Sequence, residues 1–231
     1  MKNASLTNRV RKMTIKKTLA TQTIIALSLI FSGSAQVWAG LNADVVALQR
    51  GWAEVNYQLQ EKAQLSAFEK LIHEADLLTQ QNPQSAPAWI WSGIIKSTYA
   101  GAKGGLGALS FAKAAKADLE QAMKLDAEAM SGSAYTSLGV LYFNVPGWPI
   151  GFGDDDKAEE LLLKALAINP DGIDSNYFYG DFLLNEKRYQ DAEKYLLKAQ
   201  NAPKRPDRPL ADAGRQKEIA LALSKVQKKL K

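Results

Sequence analysis

The chemistry open to this chain is limited first by what it lacks. It has one histidine, His73, and no cysteine, so tetrahedral zinc sites, cysteine nucleophiles and serine triads of the usual kind are short of their parts. His73 reads as a polar-face helix residue. Asp154-Asp155-Asp156 could bind a cation, but a calcium loop needs ligands at alternate positions and a closing glutamate. The run stands where a helix begins, and carboxylates there accept from free N–H groups and favour the helix dipole. Pro170-Asp171-Gly172-Ile173-Asp174 reads as a turn, with Asp174 or Ser175 capping the next helix. The glycines of GAKGGLGA (101–108) suggest a phosphate loop, but Lys103 is misplaced for one and no Ser or Thr follows it. No acid, base and nucleophile assemble, so the chain is expected not to be an enzyme and to hold no metal and no cofactor.

Charge has to be read in parts. Residues 1–39 carry Lys2, Arg9, Arg11, Lys12, Lys16 and Lys17 with no acid. An apolar stretch from Leu19 to Phe31 follows, and then small residues leading to Val37-Trp38-Ala39. This is the pattern of an export signal, with cleavage expected after Ala39 and Ala35 as the second choice. The apolar stretch is short of the roughly 20 residues that span a bilayer, so a periplasmic location without a membrane span is expected. Removing those six charges leaves 23 basic residues against 24 acidic ones. The whole-chain excess of +5 is therefore no footprint for nucleic acid. The basic residues that remain are concentrated in 204–231, which holds nine against three acids. A hydrophobic content of 46% with 23% charge places the rest among globular chains.

From Leu41 onward, apolar residues recur three and four apart and no alternating pattern persists, which predicts an all-α chain. Its helices repeat in pairs. From Ile173, Gly180 is the small residue of a first helix, and Ala192, Leu196 and Ala199 hold the second-helix positions. One unit earlier stand Leu138, Gly139 and Tyr142, then Ala158, Leu162 and Ala165. Before that come Trp89 and Gly93, then Ala115, Leu119 and Ala122. A degenerate unit covers Ala43 to Pro83, with Ser66-Ala67-Phe68-Glu69 expected as a capping box. This is the pattern of the tetratricopeptide unit, a helix pair of about 34 residues. The predicted fold is a TPR-like solenoid over 40–203 of about four helix pairs. A linker and a C-terminal capping helix follow in 204–231.

Two surfaces of such an array could bind. Positions 5, 9 and 12 of successive first helices line the concave groove: Ile90, Ile94 and Ser97; Thr136, Val140 and Phe143; Tyr177, Asp181 and Leu184. With little charge among them, an apolar ligand or an apolar partner segment is expected. The second surface is an edge. GAKGGLG and VPGWPIGFG both fall in the turn between first and second helices, so Gly101, Lys103 and Gly105 should lie beside Trp148, Ile150 and Phe152. Two uses of that edge stay open: packing over the core, or a recognition lip.

Beyond the generic repeat, the stretch SGSAYTSLGVLYFNVPGWPIGFGDDDKAEELLLKALAINPDGIDSNYFYGDFLL followed by APKRPDRPLADAGR resembles the T-component family of tripartite ATP-independent periplasmic (TRAP) transporters. PGWPIGFGD is the most specific part. The resemblance implies a periplasmic TPR-like protein that works with a substrate-binding protein in uptake and takes a hydrophobic ligand. Some members of that family look lipid-anchored through a cysteine, which this chain lacks. The alternative is a periplasmic scaffold that docks a partner protein and binds no small molecule.

Overall fold

Helix-spaced apolar residues are realised as helix throughout the computed structural model, which describes residues 41–231. Among these residues there are nine helices and no strand. They are α1 (41–58), α2 (Glu61–Gln81), α3 (Ala86–Lys103), α4 (Gly105–Leu125), α5 (Ala129–Asn144), α6 (Asp155–Ile168), α7 (Ile173–Asn185), α8 (Tyr189–Gln200) and α9 (Pro209–Leu230). The packing below concerns residues 45–231, which form one unit. The expected signal and its cleavage positions lie outside the described residues.

One contact builds all four pairs. A methyl group on Gly51 would sit 2.8 Å from Leu71, on Gly93 2.6 Å from Leu119, on Gly139 2.8 Å from Leu162 and on Gly180 2.8 Å from Leu196. Each first helix thus presses a bare backbone against a leucine of its partner, the closest approach two helices can make. The flanking positions hold alanine for the same reason. Ala115, Ala122, Ala158, Ala165, Ala192 and Ala199 are all fully buried. The pair α1–α2, degenerate in sequence, keeps the Gly51–Leu71 contact and Ala67 four residues before Leu71; only the second alanine has shifted, to Ala75, with Glu74 in its place.

Two readings of local structure are corrected. Ser66 caps nothing, because α2 starts at Glu61 and carries Ser66 and Glu69 in its interior. The run Glu61-Lys62-Ala63-Gln64-Leu65 is helix-favouring throughout, and the Gln64 amide donates to the carbonyls of Val55 and Asn56 at the end of α1. Nor is GAKGGLG a loop. Residues 101–103 finish α3 and Gly105 starts α4, so the insertion lengthens both helices. A joint of Gly104 and Gly105 at φ +62° and +66° connects them, a backbone that glycine adopts without penalty.

Other ends follow expectation. Asp154 caps α6, its carboxylate accepting from the Lys157 N–H at 2.9 Å. VPGWPIGFG does lie outside helix, between α5 and α6. The turn before α7 differs in detail. Gly172 is its N-cap, without a side-chain cap, and the Ser175 hydroxyl donates back to the carbonyl of Asn169.

Helix α9 buries Ile219, Ala222, Leu223 and Val226 in the core shared by α7 and α8. It also reaches the opposite end of the array. A methyl group on Gly214 would lie 2.4 Å from the ring of Tyr57 in α1. Arg208, Pro209 and Leu210 share a small cleft with Val46 and Arg50 of α1. The C-terminal helix therefore spans from the last pair back to the first, where the sequence suggested only an end cap.

Candidate functional site

With α9 along one side, the concave face forms a half-open chamber of about 1050 Å³, just above the usual range of small-molecule sites. Its walls come from α1 to α5, the loop after α5, α7, and α9 with the residue before it. Along α3 the lining runs from Trp91 to Ala102, which at 1.5 Å per residue is about 16 Å of helix. Along α5 it runs from Met130 to Asn144.

The chamber has two unlike ends. Under the C-terminal ends of α3 and α5 the wall is Ala100, Ala108, Leu109, Leu141, Val145 and Pro146, with Ile150 from the inserted loop. At the N-terminal ends it is Trp91, Asp174, Tyr177 and Phe178, joined by Tyr57, Arg208, Arg215 and Glu218 from α1 and α9. Here the sequence reading of a groove with little charge is corrected. The charges come from the linker and α9, which helix periodicity alone does not place.

An ion-pair lattice organises this end. Asp174 Oδ2 accepts from Arg205 Nη1 at 2.6 Å and Asp174 Oδ1 from Arg215 Nε at 2.9 Å. Arg205 Nε donates to Asp212 at 2.7 Å, and Arg215 pairs with Glu218. The Arg215 guanidinium lies 4.5 Å and 4.3 Å from the ring centroids of Tyr177 and Phe178. Burial works to raise the Asp174 pKa, but Arg215 and Arg205 outweigh it and hold the carboxyl below the usual range. For Arg215, burial works downward, but Asp174 together with Tyr57, Glu218 and Tyr177 outweighs it, raising the value.

Arg208 is the exception. Its guanidinium stacks 5.2 Å from the ring centroid of Trp91 and makes no ion pair among the described residues. Burial, and then the charge of Arg205, push its pKa down. Arg208 Nε, Trp91 Nε1 and the Tyr57 hydroxyl are buried without hydrogen-bond partners among the described residues. Burial also pushes the Tyr57 phenol up to about 12.

Of the groove residues read from sequence, Ile94, Ser97, Thr136, Val140 and Tyr177 line the chamber. Ile90 is fully buried in the core between the second and third pairs. Phe143 packs edge-on against Phe182, with ring centroids 5.7 Å apart, and Leu184 packs on the same core. Asp181 stands outside the chamber lining, its pKa raised by burial. Of the edge residues, Gly101, Gly105 and Ile150 line the chamber. Lys103 donates to the Tyr99 hydroxyl at 3.0 Å. Phe152 packs on Tyr142 at 5.6 Å between ring centroids, whereas Trp148 is 90% exposed. The residues that sequence reasoning missed are Trp52, Tyr57, Trp91, Arg208 and Arg215. The concentration of arginine and lysine after residue 203 was the one available signal.

No model of a known protein family matches the chain, and no curated protein sequence matches it. Among solved structures, TTC0263, a thermophilic TPR protein of Thermus thermophilus, aligns over 87% of this chain and 98% of its own at 18% identity, with a TM-score of 0.53. MamA aligns over 71% and 89% at 18% identity with a TM-score of 0.41. PilF of Pseudomonas aeruginosa aligns over 83% and 93% at 15% identity with a TM-score of 0.34. With the four stacked helix pairs, the likeness to TTC0263 establishes the architecture: the chain has the TPR-like helical-repeat fold.

Proposed function

We propose that this is a non-catalytic periplasmic binding protein whose chamber holds an apolar small molecule, and that it serves as the T-component of a TRAP transporter beside a substrate-binding protein. The chamber carries the reading. Repeat arrays offer open concave surfaces to extended partners, but here α9 crosses from the last pair to α1 and walls the space on one side. A half-open, largely apolar space of this size is able to take a small molecule. Export through the N-terminal segment, with cleavage after Ala39, belongs to the same proposal.

The test is saturable binding of N-phenyl-1-naphthylamine, an uncharged apolar probe that brightens on leaving water. One site per chain is expected, blocked by Val140→Trp, which fills the middle of the chamber. Absence of saturable binding, or binding indifferent to Val140→Trp, overturns the ligand reading. Co-purification with a substrate-binding protein encoded beside this gene tests the transporter role.

A second reading, a scaffold that docks a partner protein, draws support from the exposed Trp148 and Ile150 on the inserted loop. Partner capture lost on Val140→Asp or Tyr177→Ala supports docking in the groove. Partner capture lost only on Trp148→Ala assigns it to the loop.

A further inference from the structure

Resting on the chamber reading above, we infer that the ligand is a single-chain amphiphile with a carboxylate head, the head placed against Arg208 and the chain running along α3 toward Leu109 and Val145.

The polarity of the chamber sets the direction. Arginine is costly to bury unless something meets its charge. At this end Arg205 and Arg215 take Asp174, Asp212 and Glu218 between them. Arg208 faces the same space from beside the start of α9, stacked on Trp91; Asp174 and Asp212 act on its charge from farther off, but it makes no ion pair among the described residues. A carboxylate is the group that such a guanidinium bonds most strongly.

The far end asks for hydrocarbon. From Trp91 to Ala102 the wall is about 16 Å long, room for an extended chain of about a dozen carbon atoms. Ile94, Ala108, Leu109, Val140 and Val145 line that path, with Ser97 and Thr136 among them. The charged lining residues stand at one end only, which favours a ligand with a polar head there over a uniformly apolar one; Asp174 and Glu218 are already met by Arg205 and Arg215, so Arg208 is the charge left for the head to meet.

Displacement of N-phenyl-1-naphthylamine by dodecanoate, 1-dodecanol and dodecyltrimethylammonium tests this at neutral pH. A charge-assisted hydrogen bond predicts that dodecanoate binds at least about tenfold tighter than 1-dodecanol, with the ammonium weakest. Arg208→Gln should bring dodecanoate to within about threefold of 1-dodecanol by weakening dodecanoate far more than 1-dodecanol, and Arg208→Lys should keep part of the preference. Equal affinity of dodecanoate and 1-dodecanol for the unaltered protein overturns the inference and leaves the chamber reading standing. So does a preference that survives Arg208→Gln. Failure of every probe, the uncharged ones included, removes both together.

Discussion

Replacing Gly93 and Gly101 by alanine, one at a time, should move stability in opposite directions although both lie in α3. In a helix interior, alanine is preferred over glycine by about 1 kcal/mol. Gly101 is exposed near the end of the helix, and a methyl group there meets nothing within 4 Å, so the preference acts alone and Gly101→Ala gains about 0.5–1 kcal/mol. At Gly93 the methyl carbon would stand 2.6 Å from Leu119 Cγ, 2.9 Å from its Cδ2 and 3.1 Å from the Ala115 carbonyl oxygen. Leu119 is fully buried, and the carbonyl belongs to the α4 backbone, so neither can step aside. Overpacking of this kind costs about 3 kcal/mol at the upper end. Set against the helix preference, the net loss is about 2 kcal/mol. For a chain of this size that lowers Tm by about 4–8 °C, while Gly101→Ala raises it by about 2 °C. Thermal and urea unfolding followed by circular dichroism at 222 nm measure both. A double-mutant cycle locates the cause: with Leu119→Ala already in place, the penalty of Gly93→Ala should shrink by about 1 kcal/mol or more. If Gly93→Ala is as stable as the parent, the Gly–Leu contact does not hold the pairs together as argued.

Three further outcomes follow from named contacts. Lys96 Nζ is buried between Asp118 at 2.6 Å and Asp76 at 2.7 Å, so Asp118→Asn should cost about 2 kcal/mol in urea unfolding. The Ser92 hydroxyl also donates to Asp118 at 2.7 Å, so Lys96→Met with Asp118→Leu should recover most of that loss only when Ser92→Ala is added, because an apolar cluster then leaves no desolvated charge and no orphaned hydroxyl. Because the Asp174 pKa is held below its ordinary value of 3.8, its contribution is complete above about pH 4 and is lost as pH falls through the folded value. Asp174→Asn should therefore lower stability at pH 7 and flatten its fall between pH 4 and pH 2, and an unchanged slope in acid unfolding counts against the lattice. Ser66 is exposed in the interior of α2, so Ser66→Ala should gain a few tenths of a kcal/mol, whereas loss of a true cap costs about 1 kcal/mol.

What the sequence exposes and what it hides divide along one physical line. Contacts between a first helix and the next second helix are short in sequence and repeat, so Gly139 with Leu162 and Gly180 with Leu196 can be read as a register. Even Gly51 with Leu71 belongs to it, with Ala67 in register, although Glu74 in place of the second alanine disguised the unit. Ile90 and Phe143 went astray within that same register, because helix spacing gives a residue's face but not how far the neighbouring pair rotates over it. The chamber's charged end has no such repeat behind it. Tyr57 meets Gly214, and Asp174 meets Arg205 and Arg215, across separations that occur once in the chain. Only the path of α9 brings them together. The linker arginines looked like a solvated basic tail because a helix at the end of a solenoid usually stops there. Here α9 docks through Ile219 and Val226 on one pair and through Gly214 on another, and the same crossing that bounds the apolar space delivers its cations. Chamber and charge are thus one consequence of one helix, so a substitution that loosens α9 from α1, such as Gly214→Leu, should weaken apolar-probe binding and the carboxylate preference together.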